Sequence, residues 1–171
     1  KELNDDEKKN FGKAEKIIEE REKSSKFRKN IHPAWWIIVV VVSMAYVFYH
    51  IYTSGFGMPM AYKHRVIHLA FVLTLVFILF PASKRSPKSR PSYLDVIFII
   101  CAIGTAIYMY YGIDQLALRA GVALPMDYII GFIGILIVLE ACRRTIGNQL
   151  LGLAIILLIY AYFGRYFPGV L

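Results

Sequence analysis

Five near-continuous apolar stretches follow one another between residues 34 and 167, and the segments joining them alternate between strongly and weakly basic. A helix needs about 20 residues to cross roughly 30 Å of hydrocarbon. The first stretch, residues 34–53, reaches that length without a single Lys, Arg, Asp or Glu. Hydrocarbon offers no water to satisfy backbone N–H and C=O groups, so such a stretch must close its own hydrogen bonds as a helix, even through a run of β-branched valines. The expected fold is therefore an all-α membrane protein, a bundle of about five transmembrane helices behind a charged N-terminal segment.

Charge is segregated along the chain. Of 20 Lys and Arg and 12 Asp and Glu, residues 1–30 hold ten and eight, and beyond that point only Asp95, Asp114, Asp127 and Glu140 are acidic. The net charge of +8 thus reflects topology. No soluble segment interleaves basic and aromatic residues as a nucleic-acid surface does, so nucleic acid is not an expected partner and membrane lipid is. Residues 1–30 read as a cytosolic helix or tail, with Glu19/Lys23 and Glu22/Lys26 in the favourable i,i+4 order. Residues 31–171 form the transmembrane domain. The two cysteines, Cys101 and Cys142, both fall in apolar stretches and suggest packing positions, not a disulfide framework. The first apolar block follows some thirty polar residues and is too long for the core of a signal peptide.

The spans are expected at about residues 34–53, 66–80, 93–111, 128–142 and 150–167. Pro33 suits a first helical turn, where a missing N–H costs nothing. Trp35 and Trp36 stand where an aromatic belt meets headgroups. Residues 54–65 form a first loop, residues 81–92 a basic, proline-bearing linker, and residues 112–127 a moderately polar segment able to hold a short interfacial helix. Residues 143–149 make a tight turn, with Gly147 as a helix stop. The fourth span is the shortest apolar run, and an interfacial placement of it would leave four spans. Arg28, Lys29, Lys84, Arg85, Lys88, Arg90, Arg143 and Arg144 collect on one side, against Lys63, Arg65, Arg119 and Arg165 on the other. The positive-inside rule then puts the N-terminus in the cytoplasm and, with five spans, the C-terminus outside.

Ionisable residues at membrane depth are costly and each needs a reason. Glu140 has Arg143 and Arg144 at i+3 and i+4, on one helical face. They form either a polar anchor that orients a hairpin or docks a neighbouring domain, or an interfacial ion pair with snorkelling arginines. Asp95, two residues into the third span, suits a helix N-terminus, and Asp127 suits an N-cap before the fourth. Arg119 lacks a local partner beyond Asp114, which makes Asp127 a candidate. His64 and His68 are at i,i+4, but no third ligand stands near, so no metal site is expected. Gly104, Gly131 and Gly134, with Ala102 and Ala106, suggest close helix packing. No nucleophile elbow, phosphate-binding loop, HExxH or Gly-rich dinucleotide loop is present, and the chain does not read as an enzyme.

The stretch from Arg119 to Gly169 carries the most specific pattern: L-E-A-x-R-R-x-x-G from Leu139 to Gly147, then Y-A-x-F-G-x-x-x-P-G from Tyr160 to Gly169. It resembles the N-terminal small membrane domain of fused permeases of the tripartite ATP-independent periplasmic (TRAP) transporters, TAXI subclass. The stretch that carries the two motifs covers about fifty residues; elsewhere the likeness extends only to hydropathy. The resemblance implies a scaffold or stator for a Na⁺-coupled secondary transporter in a bacterial or archaeal cytoplasmic membrane. Its partners would be a large multi-span transport domain, in the same polypeptide or a separate chain, and a soluble TAXI-type binding protein that delivers organic acids. Na⁺ and substrate would belong to the large domain, with no cofactor here. Glu140, Arg143, Arg144, Tyr160, Gly164, Pro168 and Gly169 match the family pattern as structural anchors. That small domain is usually four spans, against five counted here. An independent assembly or sensor module is the alternative reading, and a small membrane-embedded enzyme a more distant one.

Overall fold

The computed structural model describes residues 27–28, 30–83, 86–87, 89–119 and 122–164. Most of the charged tail, with Arg165, Pro168 and Gly169, lies outside the described residues. Five helices follow in chain order: α1 (Pro33–Phe56), α2 (Ala61–Leu79), α3 (Tyr93–Leu118), α4 (Pro125–Thr145) and α5 (Asn148–Phe163). No strand occurs among the described residues. The first four are long and apolar enough to cross a membrane. The chain is an all-helical membrane bundle.

Several helix bounds differ from the hydropathy reading, most clearly where charged residues interrupt an apolar run. Helix α2 begins at Ala61, not near residue 66, because Lys63, His64 and Arg65 occupy its first turns. Charged residues that lower local hydropathy are still good helix formers once they reach polar surroundings. The first loop shrinks to residues 57–60. Helix α3 runs on through Gln115 to Leu118, so residues 112–118 extend the third span and do not form a separate interfacial helix. At 26 residues it is about 39 Å long. The fourth span, expected to be the weakest, is a full helix of 21 residues opened by Pro125 at its first position. The short element is α5, whose 16 described residues extend about 24 Å.

Helices α2, α3 and α4 touch one another, whereas among the described residues α1 packs only on α2 and α5 only on α4. The core is correspondingly small: Leu73, Phe77, Ala102, Ile137 and Ala141 are buried where the three central helices meet. Elsewhere the helices present large apolar side chains outward, as Phe48, Ile100 and Ile156 do. A soluble protein would not tolerate that much exposed apolar area; a lipid-facing one requires it. Between α2, α3, α4 and α5 lies an apolar groove of about 640 Å³.

The α4–α5 hairpin turns on Gly147, which sits at φ 114°. That conformation is essentially reserved for glycine, and it lets α5 restart one residue later. Gly134 faces α3 closely, since a Cβ there would come within 3.3 Å of Thr105 Cγ2. Gly104 and Gly131, expected to serve the same purpose, face open space. Cys101 and Cys142 are both free thiols.

Candidate functional site

One end of the bundle, where α2 and α4 finish and α3 begins, holds a buried ion network. Its centre is Asp95, which is 0% exposed. Asp95 is the third residue of α3, and Ser92 N–H donates to its Oδ2 at 2.7 Å, satisfying one of the helix's free N–H groups. It therefore does suit a helix N-terminus, as its position suggested, but it has a second role. Arg28 Nη2 donates to the same oxygen at 2.5 Å, and Arg144 Nη1 donates to Oδ1 at 2.6 Å. The two arginines come from positions 67 and 49 residues away. Both guanidiniums are withdrawn from solvent, with side chains 1% and 0% exposed.

Glu140 extends the network. Arg144 Nε donates to Glu140 Oε1 at 2.8 Å, and Arg143 donates through Nε and Nη2 to both carboxylate oxygens, also at 2.8 Å. The expected one-face grouping of Glu140, Arg143 and Arg144 is thus present. Arg143 forms the planar two-point contact that only a guanidinium gives a carboxylate.

The same arginines close the end of α2. A helix leaves its last carbonyls without intrahelical donors, and cations are favoured there. Arg28 Nη1 reaches Ile78 O at 2.9 Å and Arg28 N–H reaches Leu79 O at 3.0 Å. Arg144 Nη1 reaches Phe80 O at 3.2 Å, and Arg143 Nη2 reaches Ala82 O at 2.9 Å. The Arg144 guanidinium also lies 4.8 Å from the Phe77 ring centre and 5.2 Å from that of Phe98. These contacts compensate in part for Arg144 Nη2, which together with Arg28 Nε is buried without a hydrogen-bond partner among the described residues. The start of α1 is tied in by His32 N–H to Ser89 O at 2.8 Å.

The opposite end carries two smaller clusters. Lys63 on α2 pairs with Asp114 on α3 at 2.7 Å and lies 5.6 Å from the Tyr110 ring centre. Asp127 stands at the third position of α4 and is not its N-cap; its Oδ2 accepts from Leu124 N–H at 2.8 Å. Its Oδ1 accepts from Tyr108 Oη at 2.6 Å, which joins α3 to α4. Arg119 Nη1 is 4.0 Å from Asp127 Oδ2, at the outer limit of an ion pair, and Arg119 Nε donates to Gln115 O at 3.2 Å. The anticipated Arg119–Asp127 pair exists, yet Tyr108 is the closer partner of Asp127. On the neighbouring α1–α2 face, His50, His64 and His68 gather with Tyr46 and Tyr49. No group of three or more metal-ligating side chains among the described residues could hold an ion.

Of the remaining anchor candidates, Tyr160 and Gly164 fall at the far end of α5, remote in sequence from the Asp95 network. Trp35 and Trp36 occupy the first turn of α1, and Trp36 is 52% exposed. Sequence reasoning missed the coupling of Arg28 and Arg144 to Asp95. The available signal was that three basic residues and one membrane-depth acid all map to one side of the bundle.

Both carboxylates of the large network accept from guanidinium donors, and Asp95 also from Ser92 N–H. Asp95 and Asp114 are separated by about 28 Å along α3, and between them α3 carries the Cys101 thiol, Thr105 and Tyr108, with Tyr110 and Tyr111 at the far end. Nothing described links the two ends as a proton path. No family model, curated protein or solved structure matches the chain.

Proposed function

We propose that this chain is the small, non-transporting scaffold domain of a Na⁺-coupled TRAP-type transporter. In this reading it anchors the stator against which a larger multi-span domain carries organic acids handed over by a soluble binding protein. The observation that carries the proposal is the Asp95 network. It locks the ends of α2 and α4, the start of α3 and the segment before α1 into one unit by charge-assisted hydrogen bonds. Glu140, Arg143 and Arg144, charged residues of the L-E-A-x-R-R-x-x-G pattern, are three of the five charged residues in that unit. A stator needs fixed helix ends; a moving transport element would need groups free to exchange partners.

The basic end faces the cytoplasm in this proposal, since Arg28, Arg90, Arg143 and Arg144 lie there. The Lys63–Asp114 and Arg119–Asp127 clusters then face outward, on the side where a binding protein would dock. The test is uptake by proteoliposomes that contain the complete transporter polypeptide and its binding protein. Organic-acid accumulation should require an inward Na⁺ gradient and both components. Accumulation indifferent to Na⁺, or none, would remove the transporter reading. Glu140→Gln should lower the yield of assembled transporter without changing the substrate concentration for half-maximal uptake in what does assemble.

A further inference from the structure

Helix α1 is a peripheral element of the bundle. It packs only on α2 among the described residues, and Val39 and Thr53 are its only buried positions. At its basic end it is tied by His32 to Ser89. Toward its other end the α1–α2 contact consists of rings. His50 on α1 meets His64 and His68 on α2 with ring centres 5.1 and 5.2 Å apart. His50 Nε2 and His68 Nδ1 are 3.2 Å apart. Tyr46 Oη lies 3.0 Å from His68 Nδ1, and Tyr49 Oη lies 3.1 Å from His64 Nδ1.

The 3.2 Å contact between two imidazole nitrogens constrains the protons. A hydrogen bond there needs one N–H and one lone pair. With both rings protonated, two N–H groups would point at each other and two cations would sit 5.2 Å apart, centre to centre. The tyrosine contact to His64 survives protonation, because a phenol oxygen can accept as well as donate; the His50–His68 contact does not. The surroundings offer no relief. Helix α1 carries no Lys, Arg, Asp or Glu. Lys63 and Arg65, both cationic, flank His64 on α2, and α3 contributes Tyr110 and Asp114 near this face, with Asp114 already engaged by Lys63. His50 also borders a shallow surface depression on α1 lined by Tyr46, Ile51, Ser54 and Gly55.

We propose that His50, His64 and His68 form a proton-operated latch that seats α1 on α2 when neutral and unseats it when His50 and His68 are both charged. Histidine is the side chain whose charge ordinarily changes nearest neutral pH. The latch would make the placement of this peripheral helix sensitive to the proton concentration at this end of the bundle. The proposal stands independently of the transporter reading.

The test is a distance measurement by pulsed electron resonance on the chain in lipid nanodiscs, with spin labels replacing Val47 on α1 and Leu69 on α2 in a Cys101→Ser/Cys142→Ser background. From pH 8 to pH 5.5 the modal distance should lengthen by about 2 Å, the scale of helix shifts at switching interfaces, and return on titration back. His50→Gln/His68→Gln should abolish the change; His68→Gln alone should do so too and serves if the double variant does not fold. An unchanged distance in the histidine-bearing protein overturns the latch. A shift that persists without His68 also overturns it, because other groups would then be responsible.

Discussion

Replacing Asp95 by asparagine should be among the most damaging single changes in the described bundle. The substitution preserves shape and one acceptor oxygen but removes the charge. Asp95 now satisfies three donors, from Arg28, Arg144 and Ser92, through two oxygens. In the Asp95→Asn protein one of those oxygens becomes an NH₂ group that faces a guanidinium N–H at contact distance. Arg144 can lean on Glu140 at 2.8 Å; Arg28 has no second carboxylate among its described contacts and its guanidinium keeps only the Ile78 carbonyl. Leaving a buried cation without its partner costs about 3–5 kcal/mol, or roughly two to four decades in the folding equilibrium. The free energy is measurable by reversible unfolding in mixed dodecylmaltoside and SDS micelles, monitored by circular dichroism. Removing the charges together, as Asp95→Leu/Arg28→Met/Arg144→Met, should recover most of the loss, because a buried ion network can often be exchanged for apolar packing at little net cost. A loss below about 1 kcal/mol for Asp95→Asn would refute the reasoning, since that is the scale of a solvated surface pair.

Three further outcomes are expected in the same assay. Gly147→Ala should cost about 1–3 kcal/mol, because the residue sits at φ 114°, where a Cβ is strained whatever its surroundings. Gly131→Ala should stabilise by about 0.5–1 kcal/mol, the usual gain for replacing a helix-interior glycine. Gly134→Ala should gain less or nothing, as its new methyl would press on Thr105. Tyr108→Phe should cost about 1.5–3 kcal/mol, the range for a hydrogen bond to a charged group, whereas Arg119→Ala should cost under about 1 kcal/mol, since that pair is long and partly exposed. Equal effects of the last two would mean that Asp127 is held by charge and not by the tyrosine hydroxyl.

Hydropathy reveals that the helices exist because the physics behind it is one-dimensional: a chain in hydrocarbon must satisfy its own backbone. The ends are less legible for a related reason. A hydropathy scan ends a span at the first cluster of charges, while the helix itself continues into the interface until its backbone meets a better alternative. Lys63, His64 and Arg65 at the start of α2 and Asp114 and Gln115 near the end of α3 all sit in regular helix that such a scan reads as loop. Two of those residues, Lys63 and Asp114, even form the ion pair that fastens the two extensions together.

The same distinction separates the parts of the network that the sequence shows from those it hides. Glu140, Arg143 and Arg144 lie three and four residues apart, so helical periodicity alone puts them in contact. Asp95 and Arg28 have no such local signature; their pairing depends on how three helix ends and an incoming strap converge. Physical reasoning still narrows the search. A carboxylate inside a span must find a cation, and an even number of crossings puts residue 95 level with residues 28 and 144. Arg144, already paired locally with Glu140, would have been the natural partner to test. What neither periodicity nor topology supplies is that one arginine serves two carboxylates and a helix C-terminus at once. That triple use explains why Arg144 is almost fully buried. A lysine at position 144 should therefore fail to replace it, since a single ammonium point cannot span Asp95, Glu140 and the Phe80 carbonyl in the plane a guanidinium provides. In the same unfolding assay, a lysine variant as stable as the parent would show that charge alone, without the guanidinium's geometry, holds these helix ends together.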